Sequence, residues 1–336
     1  MPFKVPEMAR SAKGGTELMQ ARLEGHLASK HPELLEFFNF HCSRLRDYDE
    51  NKPSVYWVHD LAEDPEAQHL RNGGWQKFDL IVFVSNWQYQ QYQERFGFDG
   101  SNCIILNNGI ERSKHDVDNK WKYNLRNIAD PIRLIYHTTP HRGLEILVPA
   151  FIELWEKEWQ HWPNPVQLDV YSSFSVYGWG ERDAPYEALF QQCRDHPAIN
   201  YHGAVSHEEV QEALAKAHIF AYPCIWKETS CLALIEAMHA ECHCIHPNLG
   251  ALIETSGGHT IQYPFKSDPK LHLDYFKHIL EREVKNVRES NYSYDKSPRA
   301  GGDHADAFHM WDNIANDWVN VLTQIKEAVA QQHEIS

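Results

Sequence analysis

Two glutamates frame the start of an apolar helical segment in Tyr222-Pro-Cys-Ile-Trp-Lys-Glu-Thr-Ser-Cys-Leu-Ala-Leu-Ile-Glu236. A strand ends, a short loop carries Glu228, and Thr229 or Ser230 offers a hydroxyl as N-cap. The amides of Cys231, Leu232 and Ala233 then point out of the helix start without internal partners, at an end bearing roughly half a positive charge. Such an end is a phosphate site. Glu228 lies beside it and Glu236 about two turns further in, at roughly 1.5 Å per residue. Carboxylates offset from a phosphate suit hydroxyl groups, such as a ribose diol. The same residues also describe an ordinary capped helix with two surface glutamates.

Other segments carry weaker chemistry. Lys13-Gly14-Gly15-Thr16-Glu17 opens a helix, and paired glycines let a backbone approach a ligand closely, although a plain turn reads the same way. His59 closes a strand, either as a reactive group or as a satisfied structural histidine. Asp116-Val117-Asp118 spells a metal-binding DxD, but it sits in a polar stretch with no strand before it. Cys242, Cys244 and His246 are metal-ligand types at strand spacing, which predicts core packing rather than a metal site.

The elements that must position these residues alternate between β and α. A helix is predicted from Gly15 to about Lys30, followed by strands at Phe37–Cys42, Ser54–His59 and Asp79–Ser85, a helix at Asn86–Phe96 and a strand at Asn102–Leu106. Continuous apolar runs predict strands covered on both faces, hence parallel. Arg112 to Asp130 is polar and patternless and reads as a linker. The alternation restarts with strands at Ile132–Tyr136, Val166–Tyr171, Ile199–His202, His218–Tyr222, His243–His246 and HTIQY. Helices fall at Gly143–Trp159, Asp183–Cys193, Ser206–Ala217, Ser230–Ala240 and Ala251–Thr255. Phe308, Trp311, Ile314, Trp318, Leu322 and Ile325 predict one long helix over Ala305–Ala330. The fold class is α/β, with two doubly wound parallel-sheet units and ligand at the carboxyl ends of the strands, in a cleft. The expected domains are 1–120, with a reduced first strand, 121–304, and a tail 305–336 packing back on the first.

Length and charge agree. A chain of 336 residues, at roughly 150 per domain, suggests two domains. With 32 Lys+Arg against 47 Asp+Glu, the net charge of −15 disfavours a nucleic-acid-coating role. The seven cysteines are an odd count scattered in apolar runs, which is not a disulfide framework. Neither a signal peptide nor a membrane-spanning run is legible, so the expected location is cytoplasmic, compatible with peripheral membrane contact.

Glu228 and Glu236 form an E-x7-E pair followed by IEAMHA, which resembles the donor-binding signature of the retaining nucleotide-sugar glycosyltransferases of family 4, with their GT-B fold of two Rossmann-like domains. DLIVFVSNW, ILNNGIE, YHGAVSHEEVQEALAKAHIFAYP and NLGALIET resemble further family segments in the same order, over residues 14–265. The resemblance implies that Glu228 meets the transferred sugar and Glu236 the ribose, while amides at Thr229, Ser230, Cys231 and Leu232 hold the diphosphate. Arg142-Gly143 takes the place of the family's Lys-Gly, whose cation neutralises the leaving diphosphate. The family's preceding arginine is replaced by Thr138 or Thr139, a hydroxyl without charge. Gly14 and Gly15 match the family's Gly-rich loop, and His59 its histidine near the reacting sugar.

The implied activity is a retaining, metal-independent transfer from a nucleoside-diphosphate sugar to a hydroxyl acceptor, a glycan or lipid-linked saccharide, with no cofactor. A sugar-nucleotide 2-epimerase and a non-catalytic nucleotide-sugar-binding protein are the alternatives.

Overall fold

The computed structural model describes residues 14–45, 49–115, 130–289 and 298–335. The segment before Gly14, including Lys13, and the pair Asp116 and Asp118 lie outside the described residues. The chain divides into two units, residues 1–111 with 308–336 and residues 112–307.

In the first unit, α1 (Gly15–Lys30) and α2 (Pro32–Phe37) precede β1 (Asn39–Cys42) and β2 (Ser54–Val58), and β3 (Leu80–Phe83) leads through α3 (Asn86–Phe96) to β4 (Cys103–Ile105). The strands pair in the order β1-β2-β3-β4, all parallel. Strands β2 and β3 are buried at every position, as a parallel sheet covered on both faces requires. Helix α3 starts where Ser85 accepts from Gln88 N–H and stops at Gly97, whose φ of 72° suits a left-handed C-cap. The short α2 interrupts the stretch where a strand from Phe37 is expected. Pro32 opens it at a position where a missing N–H costs nothing.

The second unit runs β5 (Ile132–Tyr136), α4 (Leu144–Lys157), β6 (Val166–Val170), α5 (Glu187–Asp195), β7 (Ile199–Tyr201), α6 (His207–Lys216), β8 (Ile219–Ala221), α7 (Leu232–His239), β9 (His243–Pro247), α8 (Leu252–Ser256), β10 (Ile261–Tyr263) and α9 (Pro269–Glu289). Its parallel strands lie in the order β10-β9-β8-β5-β6-β7. Strand β6 departs from continuous burial, with Val166, Leu168 and Val170 inside and Gln167 and Asp169 part-exposed, so one face of the sheet is open there. Helix α9 has no counterpart among the expected elements. Its buried positions Phe276, Leu280, Val284 and Val287 are separated by charged residues that dilute the apolar stripe.

The tail is two helices, α10 (Pro298–Phe308) and α11 (Trp311–Ile335), not one. The break arises where the chain passes residue 110. Ile110 N–H donates to His309 O, Trp311 N–H donates to Ile110 O, and Met310 bridges Ile110. Phe308, left outside the helical face, is exposed. Helix α11 packs on α1 and α2, burying Trp318 against Trp57 with ring centroids 4.8 Å apart. Among the described residues no helix is long and apolar enough to cross a membrane.

Two buried histidines, one per unit, set an acid limit on this fold. Burial pulls His59 down to about 4 against a hydrogen bond to Asn108, and burial likewise takes His246 down to about 4. In the unfolded chain both bind a proton near pH 6.5. Between pH 6.5 and 4 the unfolded state therefore holds more protons, and stability falls as pH falls, by about 1.4 kcal/mol per pH unit for each histidine. Thermal melting should drop through this window, and His246→Asn should flatten the slope. A Tm independent of pH from 6.5 to 4.5 contradicts the assignment.

Candidate functional site

Strand order makes one place in the second unit special. From β5 the chain moves outward through β6 and β7, then returns to pair β8 on the other side of β5. The loops leaving the carboxyl ends of β5 and β8 diverge there and leave a crevice, where open α/β sheets hold ligands. The β5 loop carries Thr138 to Gly143 and the β8 loop carries Tyr222 to Cys231.

The β5 loop is shaped by its own hydrogen bonds. Tyr136 OH donates to Thr139 O at 2.9 Å, and Arg142 N–H to Thr139 O at 3.3 Å, closing a turn over Pro140–Arg142. Gly143 follows with φ 115°, and a Cβ there would sit 2.1 Å from Pro223 O. Only glycine allows the two loops this close. From the other side Gly250, at φ 61°, approaches the Glu228 backbone, and Ala251 N–H donates to Glu228 O at 2.8 Å.

This squeeze brings Arg142 and Glu228 together. Arg142 Nη1 donates to Glu228 Oε1 at 2.6 Å, and Tyr222 OH donates to the same oxygen at 2.6 Å. Cys224 Sγ is 4.0 Å from it. The pair is largely withdrawn from water, with side-chain exposures of 23% and 5%. Burial opposes the Arg142 charge, but Glu228 outweighs it and keeps the guanidinium protonated well above its ordinary range. Burial first, then Cys224 and Glu228, push the Tyr222 phenol up, so it remains a donor. All these contacts fall on Oε1. Among the described residues no hydrogen bond is made to Glu228 Oε2, which, unlike Arg142 Nε, is not sealed from the surface. Tyr222→Phe removes one hydrogen bond to a buried carboxylate while leaving the ring packed against Phe220 and Tyr136. Denaturant unfolding should show a loss of about 1.5–3 kcal/mol. A change under about 0.5 kcal/mol would mean that the phenol does not support Glu228.

Around this pair, Thr139 Oγ1, His137 Nε2, His141 Nδ1, Arg142 Nε and Ser172 Oγ are buried polar atoms without a protein partner. Buried polar groups are almost always paired. Among the described residues these atoms gather in the segments that follow β5 and β6.

Helix α7 begins at Leu232, with Cys231 as N-cap and no side-chain cap bond, so neither Thr229 nor Ser230 caps it. Glu228 and Cys231 are both buried, which holds the loop extended until Leu232. The amides without a backbone partner in α7 are those of Cys231 to Leu234, since Ile235 N–H makes the first bond, to Cys231 O, and of these Leu234 N–H meets the Cys231 thiol. Leu232 and Ala233 are part-exposed, whereas Cys231 and Leu234 are buried. Glu236 lies within α7, its Oε1 3.4 Å from His207 Nε2 at the start of α6.

The remaining candidates lie in the other unit. Gly14 is the N-cap residue of α1, and Gly15 is its first residue and exposed. His59 is buried, with Nε2 3.3 Å from Asn108 Oδ1 and Nδ1 3.5 Å from Cys42 Sγ. If Nε2–H donates to the amide oxygen, Nδ1 accepts from the thiol. Cys242 and Cys244 donate to backbone carbonyls, and His246 meets Thr260 Oγ1 at 2.7 Å and Pro247 O at 2.9 Å. No group of three metal-ligand side chains converges among the described residues. The sequence reading missed Tyr222 and the backbone approach at Gly250. Tyr222 was legible as a polar tip on the last, otherwise apolar, position before the Glu228 loop.

No curated protein sequence matches the chain. Sucrose-phosphate synthase of Thermosynechococcus elongatus is 18% identical, with TM-score 0.60 over 83% of this chain and 69% of its own. A glycosyltransferase of Rickettsia africae is 14% identical, with TM-score 0.60 over 93% and 82%. Anabaena HepE, solved with UDP-glucose, is 16% identical, with TM-score 0.55 over 93% and 77%. At these identities the likeness shows the fold, GT-B with two parallel-sheet α/β units. Residues 132–294, which carry Arg142, Glu228 and Glu236, match the family model described as Glycosyl transferases group 1.

Proposed function

We propose that the protein is a retaining glycosyltransferase that moves a sugar from a nucleoside-diphosphate sugar to a hydroxyl acceptor without a metal. One observation carries the reading: an arginine from the β5 loop is bonded to a glutamate from the β8 loop, before a part-exposed helix start, inside the segment that matches glycosyl transferases group 1.

The roles follow from the chemistry of each group. The amides of Cys231 to Ala233 and the positive end of α7 receive the diphosphate. Arg142, 23% exposed at its side chain, offers N–H groups to phosphate oxygens, and Thr138 adds a hydroxyl in place of a second cation. The free Oε2 of Glu228 accepts a sugar hydroxyl, and Glu236 accepts from the ribose. As the bond from the anomeric carbon to phosphate oxygen breaks, its electron pair passes to the diphosphate. The charge that develops there faces Arg142 and the amide crown. The acceptor hydroxyl attacks from the same face, and its proton goes to the departing phosphate oxygen. Two fixed positive sources at the leaving group are what make a metal unnecessary. The 1–111 unit, with Gly14, Gly15 and His59, serves the acceptor, a glycan or lipid-linked saccharide. An acidic surface of net charge −15 disfavours nucleic acid there. The proposed location is cytoplasmic, with peripheral membrane contact where the acceptor is lipid-linked.

The test is a turnover assay with Glu228→Ala, Arg142→Ala and Glu236→Ala against a panel of sugar nucleotides. Loss in all three supports the site, and activity within a few-fold of wild type in all three rejects it. Product analysis without acceptor separates transfer from 2-epimerisation, which needs none.

A further inference from the structure

Beside the Arg142–Glu228 pair stands a group of aromatic rings from three different loops. Trp226, two residues before Glu228, is 44% exposed, whereas Glu228 is 4% exposed. It is the only tryptophan among the described residues that is exposed rather than buried or half-buried. Its ring is not loose. The His141 ring meets it at 5.0 Å and 83°, and His141 in turn lies flat on the buried Phe174, at 5.2 Å and 15°. Phe174 is anchored through its own backbone, since its N–H and the Ser173 hydroxyl both donate to Asp183. An exposed indole is thus backed by a fixed stack on His141, which precedes Arg142 in the chain.

The chemistry of this face is specific. Burial, then Arg142 and Arg182, pull His141 down to about 4, so it is an uncharged ring at neutral pH. Arg142 is paired with Glu228. The Trp226 ring is thus an aromatic face in the same loop as Glu228, whose Oε2 takes no hydrogen bond from the described residues. A ring that fits both must carry C–H groups on one side and a hydroxyl at its edge. A neutral pyranose does. A nucleobase stacks equally well on an aromatic face but brings no hydroxyl to the carboxylate.

Resting on the reading of this site as a nucleotide-sugar site, we propose that Trp226, backed by His141, is the platform on which the transferred neutral pyranose lies. Its face sits against the indole, and one hydroxyl donates to Glu228 Oε2. Trp226 is then a binding and specificity-determining residue for the sugar, not for the nucleotide.

The experiment is calorimetric titration of the full chain with uridine, guanosine, adenosine and thymidine diphosphates and with their glucose conjugates. It is run on wild type, Trp226→Ala and Trp226→Phe. Because Trp226 is exposed, truncation leaves no cavity in the core. For the nucleotide that wild type accepts, Trp226→Ala is expected to weaken the sugar conjugate about tenfold. The bare diphosphate should stay within twofold, and Trp226→Phe should stay within about threefold for both. Equal weakening of conjugate and bare diphosphate overturns the proposal in favour of a nucleobase platform, and unchanged binding of both overturns it outright. In either case the donor-site reading survives, because wild type still binds. Binding of no probe by wild type overturns that reading and this proposal together.

Discussion

Arg142→Ala lowers kcat/KM for the sugar nucleotide by about 10²–10³-fold, the range seen when one preorganised donor to a developing negative charge is removed. It also destabilises the fold, because Glu228 stays buried with Tyr222 as its remaining strong donor. Breaking a buried ion pair from one side costs about 3–5 kcal/mol, and the surviving phenol bond places the loss toward the lower end. The two effects can be separated. Arg142→Met combined with Glu228→Gln removes both charges and keeps approximate volume, so stability should recover most of the loss while turnover does not return. Urea unfolding and a donor-consumption assay on the single and double variants form the cycle. Activity within a few-fold of wild type in Arg142→Ala would remove Arg142 from the leaving-group site.

Gly143→Ala produces the second large effect, although it touches no charge. At φ 115° any side chain is strained, at about 1–3 kcal/mol. Here the added Cβ also meets backbone, 2.1 Å from Pro223 O and 2.8 Å from Pro223 C, which no rotamer change relieves. The β5 and β8 loops must separate, and the 2.6 Å contact between Arg142 and Glu228 opens. A displacement of about 1 Å in a positioned group costs on the order of 10² in rate, so turnover falls by at least that factor. Gly25→Ala is the internal control. Gly25 lies within α1 with nothing within 4 Å of the added carbon, and the change should stabilise by about 0.5–1 kcal/mol. Equal behaviour of the two variants would show that the loop approach is not what holds the pair.

Much of this site is visible in the residues because it is local. A strand, a loop with Glu228 and a helix with Glu236 occupy one continuous segment, so spacing alone sets their relation. Arg142 was reachable only through the family pattern, since its partner lies 86 residues away and nothing nearby predicts the contact. The helix start was misplaced by hydroxyl preference. Thr229 and Ser230 are good caps in isolation, but the burial of Glu228 and Cys231, a tertiary effect, moves the start to Leu232. The break between α10 and α11 was hidden for the same reason. Apolar spacing continues through Phe308 and Trp311, and only the pairing of Met310 with Ile110 shows why the helix stops. Helix α9 was overlooked because its buried face includes His272 and Glu283, which a periodicity reading counts as polar.

That β-bridge between Ile110 and Met310 also bears on how the protein is made. The first unit leaves the ribosome early, yet Trp318 and Leu322, both fully buried in it, are translated near the end. Its core stays open while the whole 112–307 unit emerges and closes. Order of synthesis and order of completion are therefore inverted: the segment born first is sealed last, and a nascent chain halted before Trp311 holds a finished 112–307 unit and an unfinished first one.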